Sequence, residues 1–287
     1  FRVSSTFSIT PGFRYEKIRT QAEGYFRNIG LDLAGNVILD ETVEENNIKD
    51  RDLLLLGVGL SYKLKKRLEL YGNVSQNYRS VTFNDIRTVA PSQVIAENIT
   101  DEKGYTSDIG IRGQIGDKIS FDASVFGLFY DDKIAEYLTT NPNGGAALIR
   151  YRDNIGTAFT YGFEAMIDWS LSKTFFAENQ QFTWNIFTNS ALTGSEYLKS
   201  EVANIEGNEV EFVPLLNLKT GTSVGYKNFM TSLQLTYVTS QFTDANNSIT
   251  DNNDNTYGIF GEIPAYYVAD FSASYKWNRF KLEAGVT

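Results

Sequence analysis

Eleven stretches of this chain alternate apolar with polar residues, and the connections between them run short, long, short, long. The short ones lie at Lys63 to Lys66, Gly116 to Asp117, Ser172 to Gln180, Lys227 to Asn228 and Trp277 to Arg279. The long ones lie near Asn28 to Asp50, Thr82 to Lys103, Thr140 to Ala146, Tyr197 to Asn208 and Asp244 to Pro264. A soluble sandwich also has many strands, but both of its ends face the same solvent, so nothing sorts its connections by length. A barrel that crosses a membrane has tight turns at one end and long loops at the other. The pattern predicts an all-β fold, an antiparallel transmembrane β-barrel.

The alternation holds segment by segment. Successive strand side chains point to opposite sides, so Ile119, Phe121, Ala123, Val125 and Phe129 share one face and Ser120, Asp122 and Ser124 the other. Phe182, Trp184 and Ile186 likewise oppose Thr183 and Asn185, and Leu233, Leu235 and Tyr237 oppose Ser232, Gln234 and Thr236. Phe271, Ala273, Tyr275 and Trp277 oppose Ser272, Ser274 and Lys276. Glu69, Asp108, Arg112, Glu164 and Asp168 all fall on the polar face. A charge facing lipid near the midplane costs roughly 2 to 4 kcal/mol, so the polar face lines a wet or plugged lumen.

Composition agrees with strands rather than helices as the crossing element. The 287 residues are 42% hydrophobic with a mean hydropathy of -0.27. They hold no apolar run of about 18 residues, the least a helical span needs. Tyr 17, Phe 20 and Trp 3 supply enough aromatic side chains for girdles at both membrane interfaces. With no cysteine there is neither a disulfide framework nor a thiolate metal site. With no histidine, the usual general base and the commonest metal ligand are missing too, so no enzyme activity, catalytic residue, metal site or cofactor is expected. The net charge of -9, without a basic patch, gives no nucleic-acid partner.

Thr6 to Arg27, Lys118 to Leu138 and Leu148 to Trp169 read as strands about twice the 9 to 11 residues a bilayer requires, and would project above it. Pro11 cannot donate to a ladder and calls for a bulge or an edge. Phe1 to Val3 reads as the tail of a strand entering the turn Ser4-Ser5-Thr6, and Thr287 stops in mid-alternation. About eleven strands is an odd number, whereas bacterial single-chain barrels are even. Residues 1–287 are therefore expected to be one partial barrel domain.

The motifs carry a family likeness. Phe7-Ser-Ile-Thr-Pro-Gly-Phe-Arg-Tyr-Glu16 and Leu70-Tyr-Gly-Asn-Val-Ser-Gln-Asn-Tyr-Arg-Ser-Val-Thr-Phe83 are followed by Gly110-Ile-Arg112 and Ser124-Val-Phe-Gly-Leu-Phe-Tyr130. Then come Asn154-Ile-Gly-Thr-Ala-Phe-Thr-Tyr-Gly-Phe-Glu164 and Ile263-Pro-Ala-Tyr-Tyr-Val-Ala-Asp-Phe271. In this order and spacing they resemble the C-terminal half of the barrel of TonB-dependent outer-membrane receptors, in particular the ferric siderophore and ferric citrate type. The resemblance implies about 11 strands of a barrel of about 22. It covers neither the family's plug domain and TonB box nor the last strand with its terminal aromatic residue, and Arg79-Ser-Val81 replaces the usual Arg-Pro-Pro.

What the resemblance implies is uptake of a ferric chelate, captured at the extracellular loops of an outer-membrane receptor in a Gram-negative bacterium. The implied partners are the chelate, the TonB energy-coupling complex acting through the plug, and outer-membrane lipid and lipopolysaccharide. The alternatives are a passive porin-like or structural barrel of about 12 strands, and an adhesive or glycan-binding all-β surface protein. An anionic chelate calls for arginine near the mouth, whose fork of donors matches carboxylates. Arg79, Arg150 and Arg152 are so placed; the plainer reading is that they pair with wall carboxylates or bind lipopolysaccharide phosphates. Asp251, Asn253, Asn255 and Glu262 mimic the spacing of a calcium loop. Thr256 stands where that loop needs glycine and no helix flanks it, so the stretch reads as a solvated loop. Asn143-Gly144-Gly145 reads as a hairpin turn, and Asp131 and Asp132, on opposite faces, cannot share a substrate.

Overall fold

Each amphipathic stretch enters a single sheet. The computed structural model describes residues 1–31, 34–87, 93–140, 148–179, 181–249 and 261–287. In chain order the strands are β1 (Phe7–Leu31), β2 (Val37–Lys65), β3 (Leu68–Arg79), β4 (Gln93–Ile95), β5 (Glu102–Ile115), β6 (Ile119–Asp131), β7 (Ile134–Thr140) and β8 (Leu148–Asn154). They continue as β9 (Gly156–Ser170), β10 (Phe182–Ser200), β11 (Leu216–Tyr226), β12 (Phe229–Val238), β13 (Gln241–Phe242), β14 (Glu262–Ile263), β15 (Tyr266–Trp277) and β16 (Phe280–Val286). The two short helices are α1 (Phe83–Ile86) and α2 (Leu171–Phe175). The 11-stranded sheet runs β1-β2-β3-β5-β6-β9-β10-β11-β12-β15-β16, with β1 and β16 at its edges.

Register explains why the sequence alternates. Leu60 lies opposite Gly72, then Ile109, Val125, Phe163, Leu192 and Leu216 follow across successive strands. Directly opposed residues share a face, so this row is one apolar band around the wall. The row one residue away runs Ser61, Tyr71, Gly110, Ser124, Glu164 on the other face. Ile109 is 67% exposed and Val125 55%. In water so large an apolar surface would be a liability; against lipid it is the surface that holds the wall in place. No helix among the described residues is long and apolar enough to cross a membrane.

The short connections are tight, with Gly116, Lys227 and Asn278 in the left-handed region that closes such turns. Three sequence expectations change. Asn28 to Leu31 and Val37 to Asp50 continue the β1–β2 ladder rather than forming a loop: β1 and β2 stay paired from Phe7 opposite Tyr62 to Leu31 opposite Val37. Charged pairs such as Arg27 to Asp40, 2.6 Å apart, stand where apolar alternation would otherwise have marked the strand. The stretches Lys118 to Leu138 and Leu148 to Trp169 each divide in two, at Asp132 (φ 54) and at Ile155 before Gly156 (φ 146). Pro11 meets its expectation by the edge rather than the bulge: it lies on β1, an edge strand of the described sheet, in register with Val58.

The breaks release β7 and β8 from the wall to form a three-stranded sheet with β4, order β4-β8-β7. β8 runs antiparallel to β7 and parallel to β4. This small sheet sits at the long-loop end, and the buried core is there too. One cluster is Ala135, Ile155, Ala158, Tyr197, Ile205, Val210 and Ala245; the other is Ala22, Val81, Ile86, Ile99 and Ile134. A wall with lipid on one side and a lumen on the other has no interior, so burial accumulates where the loops fold over one another.

Candidate functional site

The loop cap is fastened to the wall by ion pairs that begin at strand ends. Arg79, the last residue of β3, lies opposite Glu102, the first of β5, so the ladder itself brings them together. Arg79 Nη1 is 3.1 Å from Glu102 Oε1, and its Nη2 donates to Asp85 at 2.8 Å. Glu102, only 2% exposed, also accepts from Lys133 Nζ at 3.2 Å and from the Ile134 N–H at 3.0 Å. Lys133 reaches on to Glu211 at 3.9 Å, and Glu211 accepts from the buried Tyr197 hydroxyl at 2.6 Å.

A second branch crosses the small sheet. Arg152 Nη1 is 3.6 Å from Asp85 and donates to the Asn84 carbonyl at 2.7 Å; its Nη2 is 2.8 Å from Glu136. Arg150 Nη1 is 3.2 Å from the other oxygen, Oε1, of Glu136, while Gln93 Nε2 donates at 3.1 Å to the oxygen that Arg152 contacts. Arg51 on β2 pairs with the buried Asp101 at 3.1 Å, and Asp101 takes the Val81 N–H at 2.8 Å. Buried charges must be paired and hydrogen-bonded to be tolerated, and here each cation has a carboxylate.

The electrostatic consequences follow from these partners. Burial alone would push the Asp85 carboxyl up, but the Thr82 N–H and hydroxyl and then Arg79 outweigh it and hold Asp85 below its ordinary value. Asp153 is pushed up, first by burial and then by the Glu201 charge, against one hydrogen bond from the Asn154 N–H. Tyr197 is held well above its ordinary value by burial and by Glu211.

The three arginines singled out in the sequence thus meet in one network: Arg79 and Arg152 share Asp85, and Arg150 and Arg152 share Glu136. Sequence reasoning missed Arg51, Lys133 and their buried acceptors, because these pairs join residues far apart in the chain and leave no local pattern. A cavity of about 400 Å³ opens on the outer side of the wall, lined by Val58, Leu60, Val74, Ile109 and Val125 with Asn73, Ser107 and Asp108 among the other lining residues. Among the described residues no cluster of acidic residues could hold a metal ion. The calcium-like residues Asp251, Asn253 and Asn255, and the turn Asn143-Gly144-Gly145, lie outside the described residues.

A family model described as TonB dependent receptor-like, beta-barrel matches residues 1–287. No curated protein matches the chain at a significant level. Among solved structures, the unliganded ferric citrate transporter FecA superposes with a TM-score of 0.65 at 19% identity, over 96% of this chain and 36% of that one. The ferric yersiniabactin uptake receptor FyuA from Yersinia pestis gives 0.65 at 20% identity, over 99% and 38%. The copper transporter OprC gives 0.67 at 17% identity, over 99% and 40%. The chain therefore spans well under half the length of these relatives, and at such identities the likeness is one of fold.

Proposed function

Because this chain belongs, over its whole length, to the TonB-dependent receptor-like β-barrel family, we propose that it forms part of an outer-membrane importer of ferric chelates. The family consists of transport receptors rather than enzymes. The observation that supports transport here is the two-faced wall: a continuous apolar band outward and a charged face inward, closed over at the long-loop end by a paired arginine cluster. In this reading the protein sits in the outer membrane of a Gram-negative bacterium. A ferric siderophore or ferric citrate docks at the cap, and the TonB complex, acting through a plug domain, drives its passage.

The cap supplies the chemistry for an anionic chelate by exchange of partners. Arg79, Arg150 and Arg152 are bound to Asp85, Glu102 and Glu136, and a multivalent ligand carboxylate or catecholate would replace those acceptors one for one. Such exchange leaves no guanidinium buried without an acceptor at any stage.

The test is binding and growth with the full-length protein. Ferric citrate and representative ferric siderophores are titrated against the purified receptor, and a deletion strain is grown on each as sole iron source. Tight binding of one chelate, weakened at least tenfold in Arg79→Gln and in Arg150→Gln/Arg152→Gln, is the expected result. Tight binding of a glycan, cobalamin or copper with no ferric chelate bound would overturn it.

A further inference from the structure

The chain carries excess acid, 35 Asp and Glu against 26 Lys and Arg, but the excess is confined to one end. The long connections 201–215 and 239–265 hold Glu201, Glu206, Glu209, Glu211, Asp244, Asp251, Asp254 and Glu262 and no lysine or arginine. At the opposite end every short turn carries a basic residue. The first turn has Lys66 and Arg67, the second Lys118, the third Lys173, the fourth Lys227 and the fifth Arg279. Against these the same turns hold only Asp117 and Glu178. All six basic residues are exposed. Two of them have roles within the wall, Arg67 on the Gly116 carbonyl and Lys173 beside Asp117, but Lys66, Lys118, Lys227 and Arg279 have no acidic partner among the ion pairs of the described residues.

Beside these cations stands a belt of outward aromatic side chains. Tyr62, Phe175, Phe176, Tyr226, Phe229, Trp277 and Phe280 are exposed within a few residues of the turns, and the Lys227 ammonium lies 5.3 Å from the centre of the Tyr226 ring. Aromatic rings of this kind settle at the headgroup level of a bilayer. The short turns of an outer-membrane barrel face the periplasm. We propose that this basic rim is a docking surface for the anionic phospholipid headgroups of the inner leaflet. The reason for a lipid rather than a protein partner is distribution: the charges recur in each of five successive turns along the sheet, a footprint that fits a planar surface meeting the whole rim. At the third, fourth and fifth turns the rings flank the cations along the chain, an arrangement in which acyl chains meet the apolar band while the phosphates reach the turns. The inference rests on the family's membrane placement and on no particular substrate.

Each basic residue near an anionic surface adds about a fivefold gain in partitioning. The experiment uses the full-length protein reconstituted with phosphatidylglycerol and phosphatidylcholine of identical acyl chains, and native mass spectrometry reads which lipid stays bound. Enrichment of phosphatidylglycerol by at least tenfold is expected. It should fall to near parity in the variant Lys66→Gln/Lys118→Gln/Lys227→Gln/Arg279→Gln. It should survive in a variant of equal charge change at the other end, Lys17→Gln/Lys49→Gln/Lys103→Gln/Lys199→Gln. Equal enrichment in wild type and rim variant, or equal loss in both variants, overturns the proposal. Should the rim variant fail to fold, wild type alone decides: raising the salt from about 0.05 to about 0.5 M must abolish the enrichment, because exposed charges are screened over that range. Enrichment that persists at high salt counts against the rim. Failure here leaves chelate uptake untouched, since that is read by ligand binding.

Discussion

The Lys133 ammonium sits 3.2 Å from Glu102 Oε1, tying the loop that begins at Asp132 to the first residue of a wall strand. The same oxygen takes Arg79 at 3.1 Å and the Ile134 N–H at 3.0 Å, so a single buried carboxylate oxygen organises three donors. Removing one partner of a buried ion pair costs about 3 to 5 kcal/mol, because the other is left without an acceptor. Glu102→Ala should therefore loosen the cap at the lower end of that range, Arg79 retaining Asp85. Amide exchange at residues 133–136 should quicken on the order of a hundredfold while β12 is unchanged, and Glu102→Gln, which keeps an acceptor, should show much less. Unchanged exchange in Glu102→Ala would mean that the carboxylate does not hold the cap.

Two carboxylates give the cap opposite responses to pH. Asp85 titrates below its ordinary 3.8, so it contributes stability above that value which is lost as the pH falls through its folded pKa. Asp153 titrates above its ordinary 3.8, so its contribution is present below that value and is lost as the pH rises through the folded pKa. At neutral pH Asp153 is consequently a cost. Asp153→Asn should strengthen the cap near pH 7, and Asp85→Asn should weaken it there while narrowing the gap to wild type below about pH 4. Limited proteolysis of wild type and variant side by side at each pH is the readout, and the same sign for both variants at neutral pH would contradict the assignment.

Tyr71 lies across Gly110 on the inner face. A Cβ at Gly110 would come within 2.4 Å of the ring, whose hydroxyl donates to Asp122 at 2.6 Å and whose face lies 5.1 Å from the Arg112 guanidinium. Gly110→Ala must displace the ring and with it both contacts, at about 1 to 3 kcal/mol. Tyr71→Ala loses the same contacts directly. The two changes should be clearly sub-additive when combined, since the methyl group has nothing to strike once the ring is gone. Urea unfolding of the four proteins in detergent measures this, and simple additivity would show that the ring does not rest on Gly110.

The wall was legible because period two is a local property: Ile119, Phe121, Ala123 and Val125 announce their face within seven residues. The count of eleven wall strands and the alternation of turn lengths followed from it. Charge hid the rest. Residues 37 to 52 of β2 carry acidic side chains answered by Arg19, Lys17 and Arg27 across the ladder, and polar strands look like loops until the partner is known. The cap sheet was unreadable for another reason, since the parallel pairing of Gln93 with Arg150 joins distant segments with no turn signal between them. Arg79, Arg150 and Arg152 could be nominated by residue type, but their shared carboxylates Asp85 and Glu136 emerge only when two loops meet.

Val125 and Ser124 are neighbours in β6 that separate the two solvents of this wall. Val125 stands between Ile109 and Phe163 on the outward band, whereas Ser124 stands between Gly110 and Glu164 on the inner face. An arginine facing lipid near the midplane costs about 2 to 4 kcal/mol, and the same side chain on a wet inner face costs little where a carboxylate is opposite. Val125→Arg should therefore lower the folding free energy into lipid vesicles by about that amount, while Ser124→Arg, able to pair with Glu164, should stay within about 1 kcal/mol of wild type. Because the substitutions are adjacent and introduce the same charge, the change in net charge cancels, and the difference in strand propensity between valine and serine, within about 1 kcal/mol, is smaller than the difference between the two faces. The reverse order of stabilities would invert the wall.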